Sequence, residues 1–316
     1  MPIDARALRG LLAPPRSYPA LGSISVRTTS VGGPVRDAKV SPPRLFCNHN
    51  RILMLVHGFA VNEQDARQRF ADFRSHLPAP YRSETAEVLW PGDMRGATIH
   101  SVETGGVGGR IASVLAYPFQ LSRAKASARR LMRRMRDELD QRAKLVAAGS
   151  PFRPLELSVV AHSLGCLVVL ELLKALEARP KYEMRLSVIA LMAAAVPQYR
   201  LRDDDFGSRL AEARRLLVYY SEADKVLAVA FGPGQSLQWR FPQGLRNRAA
   251  VGLVGCGRPF RNAIEQRGNR GHGDYWNDEK ITRDVAAALE ETRPLLLRRA
   301  MSPGRACPVR KMDGFR

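Results

Sequence analysis

The sequence predicts an α/β fold, a mostly parallel sheet with helices on both faces. Three observations predict it. Short apolar runs such as "ILMLV" and "LSVVA" recur along the chain; runs of that length without alternation read as strands buried on both faces. Segments of helical spacing stand between them, and strand alternating with helix is the pattern of a parallel sheet. The residues with chemical potential fall just after the apolar runs, and in such sheets chemistry gathers at the carboxyl ends of the strands.

The elements follow in order. Residues 1–45 carry several prolines and few periodic apolar positions, so they read as an irregular arm with one strand near "SISVRTT". "ILMLVHG" is a buried strand. In "NEQDARQRFADFRSHL" the residues Ala66, Phe70, Phe73 and Leu77 fall on one helical face. "AEVLWPGD" is the next strand. A Gly-rich loop over roughly 92–110 leads into a long basic helix, "LSRAKASARRLMRRMRDELDQRAKLV", and the span from about 94 to 145 is a candidate lid or insert. "LELSVVA" is a strand and "LGCLVVLELLKALEA" a helix; "MRLSVIALMAAAV" and "RRLLVYYS" are strands. "AAVGLVG" is expected as a short strand, and "ITRDVAAALEETRPLLL" as the last helix, ended or kinked by Pro294. The main domain is expected over 46–298, followed by a basic, disordered tail at 299–316.

Of 50 basic residues eight are Lys and 42 are Arg; against 30 acidic residues they give a formal net charge of +20. That excess favours anionic partners, either phospholipid or nucleic acid, or is simply a solvated basic surface. Cys47, Cys166, Cys256 and Cys307 have neither C-x-x-C spacing nor a zinc-like His cluster. Reduced thiols and a cytoplasmic location are the simplest account. The first 30 residues hold no apolar run of the signal-peptide kind, and "LSVIALMAAAVP" is too short to span a bilayer.

The centre of interest is "LELSVVAHSLGCLVVLELL", residues 155–173, where Ser163 stands between a strand and a helix. A serine at that joint occupies a sharp turn that lifts its hydroxyl clear of the sheet, and small residues on either side keep the turn sterically open. Here they are Ala161 and Gly165, with Ala in place of the usual first Gly. The bland alternative is a helix-capping serine. A nucleophile needs a base, and the histidines number six: His49, His57, His76, His100, His162 and His272. His162 adjoins the serine, but neighbours on a tight turn point apart. Only His272 follows it, in the Gly-rich "GNRGHGDYW". The orienting acid belongs on a loop after a strand between these two, and Asp224 in "RRLLVYYSEADKVLA" is the first candidate, with Glu222 and Asp203, Asp204 and Asp205 as alternatives. The oxyanion donors would be the N–H groups of Leu164 and of Phe59 in "LVHGFAVN", with His57 packing to hold that loop.

With "LVHGF" at 55–59, "VLWPGD" at 88–93, "AHSLG" at 161–165, "SEADKVL" at 221–227 and "GHGDYW" at 271–276, the chain resembles a bacterial family of uncharacterised α/β-hydrolases over roughly residues 50–280. The resemblance implies the α/β-hydrolase fold, with Ser163 as nucleophile, Asp224 as acid and His272 as base. It implies a serine hydrolase cleaving a carboxylic ester or related acyl bond through an acyl-enzyme, with no metal or organic cofactor. The expected substrate is a small-molecule or lipid acyl compound, with an anionic membrane surface as a candidate partner. The rival reading is a non-catalytic α/β-hydrolase-fold protein that binds anionic partners, nucleic acid among them, through its basic surface.

Overall fold

The computed structural model describes residues 19–28, 30, 33–93, 106–149, 153–177, 184–231 and 249–293; within 106–118 it gives the helical backbone alone. The continuous apolar runs become the middle of one eight-stranded sheet. β1 is Gly22–Ser25, β2 Lys39–Ser41, β3 Arg51–Val56, β4 Thr85–Leu89, β5 Leu155–His162, β6 Met184–Met192, β7 Arg215–Tyr220 and β8 Ala263–Arg267, in the spatial order β2-β1-β4-β3-β5-β6-β7-β8. Only the β1/β2 pair is antiparallel. This is the α/β-hydrolase arrangement expected from the sequence.

After β3 the chain moves to β4 on one side, and β5 then returns on the other, beside β3. The crevice at such a reversal is where open α/β sheets place their ligands. Val56 is level with Ala161 across β3/β5 and with Val88 across β3/β4. The segments "HGFA", "WPGD" and "HSLG" therefore leave the sheet at one rim.

Helices cover both faces. α1 is Leu45–Asn48, α2 Glu63–His76, α3 Ala79–Arg82, α4 Gly106–Ala147, α5 Gly165–Glu177, α6 Ser208–Glu212, α7 Val251–Val254 and α8 Glu279–Thr292. The four residues assigned to one face of α2, Ala66, Phe70, Phe73 and Leu77, are all fully buried. Asn62 caps α2 by accepting the Asp65 N–H at 2.8 Å, and Asp278 caps α8 by accepting from Lys280 and Ile281. α8 ends at Thr292, with Arg293 extended, as the residue before a proline tends to be.

Several expectations are corrected. The arm at 1–45 is not irregular throughout: β1 and β2 lie within it and extend the sheet, and Ile24 and Val26 are fully buried. β1 overlaps the strand expected near "SISVRTT", whereas β2, three residues long, is too short to leave a periodic signal. The candidate lid over 94–145 divides. Residues 94–105 lie outside the described residues, and from Leu121 onward α4 is a layer of the fold, burying Leu121, Ala124, Ala128, Leu131, Met135 and Leu139. α4 packs on α5 and α1. Its Glu138 accepts the Phe46 N–H at 2.8 Å, and Arg142 donates to the carbonyls of Phe46, Cys47 and His49, so both ends of α1 are satisfied by side chains. "AAVGLVG" forms the helical turn α7, not a strand; the eighth strand is "AIEQR". That strand sits at the sheet edge and is largely exposed, so burial imposed no apolar pattern on it. Asp203–Gly207 form a π-helical turn. The tail at 299–316 lies outside the described residues.

Candidate active site

β5 ends at His162, and α5 begins at Gly165. Ser163, between them, has φ 53°. The left-handed region costs a non-glycine residue roughly 1–2 kcal/mol, and here three main-chain hydrogen bonds hold the residue in it. Ser163 N–H donates to Met192 O at 2.9 Å, and Ser163 O accepts from Cys166 and Ala195, each at 3.1 Å. Gly165 is required: a β-carbon there would lie 2.2 Å from the His57 carbonyl oxygen. Ala161 is fully buried within β5, paired with Val56 and Leu191, so its methyl group is an ordinary core contact.

His272 arrives from the loop after β8. Its Nε2 lies 2.9 Å from Ser163 Oγ and its Nδ1 lies 2.7 Å from Asp224 Oδ2. A carboxylate only accepts, so the ring proton sits on Nδ1 and the Nε2 lone pair faces the serine hydroxyl. Asp224 stands just beyond β7, fully buried. Its second oxygen, Oδ1, accepts the Leu227 N–H at 3.0 Å. One carboxylate thus both caps a turn and pairs with the imidazole. The alternatives fall elsewhere: Glu222 pairs with Arg267, Asp203 with Arg258 and Asp205 with Lys174 and Arg200, while Asp204 is exposed.

The histidine loop is fastened along its length. Gly268 N–H donates to Tyr220 O, Arg270 N–H to Ser221 Oγ, and Gly271 N–H to Asp274 Oδ2. Beyond it Trp276 is buried edge-on against Phe70 and Phe73 of α2, at ring separations of 5.2 and 5.7 Å. Nothing local marks that anchor beyond an aromatic residue near the loop's end.

The "HGFA" loop lies against the serine. A β-carbon on Gly58 would lie 2.8 Å from Ser163 Cβ, so only glycine lets the two segments approach so closely. Among the described residues, the N–H groups of Phe59 and Leu164 donate to no protein acceptor. The "WPGD" segment braces the loop. Trp90 Nε1–H donates to His57 O at 2.7 Å, Ala60 N–H donates to Gly92 O at 2.8 Å, and the His57 and Trp90 rings stack 5.6 Å apart. Trp90 is fully buried, so it serves the loop and does not line an open pocket. His57 accepts the Trp90 N–H on Nε2 and donates from Nδ1 to Gly58 O. Burial, above all, pushes its pKa down to about 3, so the ring is neutral and holds the loop as the sequence suggested. His49 and His76 lie apart from this cluster, the latter 3.9 Å from Glu279; His100 lies outside the described residues.

Among the described residues no group of three or more His, Cys, Asp or Glu side chains is arranged to hold a metal ion, and no helix is long and apolar enough to cross a membrane. Cys47, Cys166 and Cys256 are buried free thiols; Cys307 lies outside the described residues.

A family model described as alpha/beta hydrolase of unknown function (DUF900) matches residues 44–232. No curated protein matches the chain. Among solved structures, TT1662 from Thermus thermophilus is similar at 15% identity and a TM-score of 0.37, covering 77% of this chain and 90% of that one. EstE5-PMSF is similar at 12% identity and a TM-score of 0.38, covering 95% and 91%.

Proposed function

The chain belongs to the DUF900 family of α/β-hydrolases, and from that premise we propose that it is a serine hydrolase of carboxylic esters or related acyl bonds. The observation that carries the reading is the hydrogen-bonded line from Asp224 through His272 to Ser163, with contacts of 2.7 and 2.9 Å. Ser163 Oγ attacks the acyl carbon as its proton passes to Nε2 of His272. Asp224 holds the tautomer and stabilises the imidazolium. The N–H groups of Phe59 and Leu164 receive the developing oxyanion; each such donor is worth about 10²–10³ in rate. His272 returns its proton to the leaving group, and water, deprotonated by the same ring, frees the acyl-enzyme. None of these steps calls for a metal or organic cofactor.

The substrate is a small-molecule or lipid acyl compound, and the protein works in the cytoplasm. A non-catalytic binding protein has no use for an acid–base–hydroxyl line, and nucleic acid is the less favoured anionic partner. The reading is tested on a series of 4-nitrophenyl esters of short and long acyl chains. The wild-type chain is expected to turn over at least one of them, and Ser163→Ala to lose about 10³-fold or more in kcat. Equal rates for the two would refute the assignment of the nucleophile.

A further inference from the structure

A third buried imidazole lies inside the site, and none of the steps above uses it. His162 is fully buried at the end of β5. Its Nε2 lies 2.7 Å from the main-chain carbonyl of His272. A carbonyl only accepts, so His162 carries its proton on Nε2 and donates. Burial, with the nearby His272 ring second, drives its pKa well below the ordinary value, and a neutral ring has only that one proton. Nδ1 is then a bare lone pair. It is buried, has no hydrogen-bond partner, and faces the main chain of Gly58, 2.9 Å from where a β-carbon there would stand. The two imidazole rings are 4.9 Å apart and tilted by 54°.

We propose that His162 is a positioning residue: its Nε2–H, anchored on a central strand, holds the His272 main chain at the depth where the His272 ring reaches Ser163. The other fastenings of the histidine loop act on Gly268, Arg270 and Gly271. Among the described residues only His162 bonds to the main chain of His272 itself. β5 supplies a rigid origin, since His162 is paired in register with Met192 of β6. One ring therefore touches all three segments of the site: it belongs to the serine turn, bonds to the histidine loop and packs on Gly58 of the "HGFA" loop. A phenyl ring would fill the same slot without the bare Nδ1, but it would leave the His272 carbonyl without its donor. What the imidazole adds is the donor.

The inference rests on the acyl-transfer reading, and three variants separate the two. His162→Phe keeps the ring and removes the donor. His162→Gln sets an amide N–H at about the reach of Nε2, and His162→Asn offers the same amide at shorter reach. Loss of the donor is expected to lower kcat, and the labelling rate with a fluorophosphonate, by about 10- to 100-fold with KM within about twofold, because a small misplacement of the base has that effect. The Phe and Asn variants should show this loss and the Gln variant should recover most of it. Full activity in Phe, or equal losses in Gln and Asn, overturns the positioning role. If the wild-type chain neither hydrolyses an ester nor takes the phosphonate, the acyl-transfer reading fails while the positioning role stays measurable by proton NMR. A low-field proton between His272 Nδ1 and Asp224 is expected in the wild-type and Gln proteins and lost in Phe and Asn; its persistence in Phe or Asn overturns the inference. Should His162→Phe fail to fold, the Gln and Asn pair decides by reach alone.

Discussion

Ser163 is a residue in a conformation that its own side chain disfavours. A φ of 53° is imposed by bonds from β6 and by the first turn of α5, and strain of this kind persists where the surroundings over-determine it. In return the hydroxyl stands free of the sheet, within reach of an imidazole. Asp224 shows the same economy, holding a turn with one oxygen and His272 with the other. Asp224→Asn keeps the volume and, through its amide oxygen, one of those two bonds. It removes the charge that fixes the His272 tautomer and stabilises the imidazolium, so kcat on an ester substrate is expected to fall on the order of 10³–10⁴ with the folded state intact. A loss below about tenfold would mean that Asp224 is only a cap.

At the scale of elements, the middle of the fold is legible because burial on both faces leaves continuous apolar runs, and β3, β5, β6 and β7 are all of that kind. The serine turn and its two partners are legible because strand ends, small residues and chain order narrow the choice to a few side chains. The edge strands β2 and β8 are short or exposed, so nothing in their composition announces them. The bracing of "HGFA" by "WPGD" and the anchoring of the histidine loop by Trp276 are contacts between distant segments, which local pattern does not encode. α4 carries a different signal. Lys125, Arg129 and Arg133 recur every four residues along its exposed side, and among the described residues none has an acidic partner. Arg130 and Arg134, on the flank, pair with Asp37 and Glu138. We propose that this ridge meets an anionic lipid surface, which attracts clustered Lys and Arg. Turnover of a lipid ester is expected to be faster on anionic than on neutral phospholipid vesicles, and replacing all three ridge residues by Gln should erase the difference. Equal rates on both vesicles would reduce the ridge to a solvated face.

For the molecule as a whole, two buried neutral histidines at the heart of the site tie its stability to pH. The unfolded chain takes up protons on His57 and His162 as pH falls below 6.5; the folded chain refuses them, His57 until about pH 3. Their contribution is therefore complete above that ordinary value and is lost progressively beneath it. Lowering the pH from 7 to 5 should cost about 2 kcal/mol from His57 alone, with His162 adding to the loss in the same direction, as urea unfolding at the two pH values would measure. A stability unchanged between them would mean that both rings take up protons in the folded protein as readily as in the unfolded chain.

The Asp224, His272 and Ser163 line is expected to activate one hydroxyl among all those on the chain. Reaction with a fluorophosphonate followed by peptide mass spectrometry tests it most directly. One phosphonyl group per chain, carried by Ser163 and absent from Ser163→Ala and His272→Ala, is the expected result. An unlabelled wild-type chain, or a label on any other residue, would contradict the account.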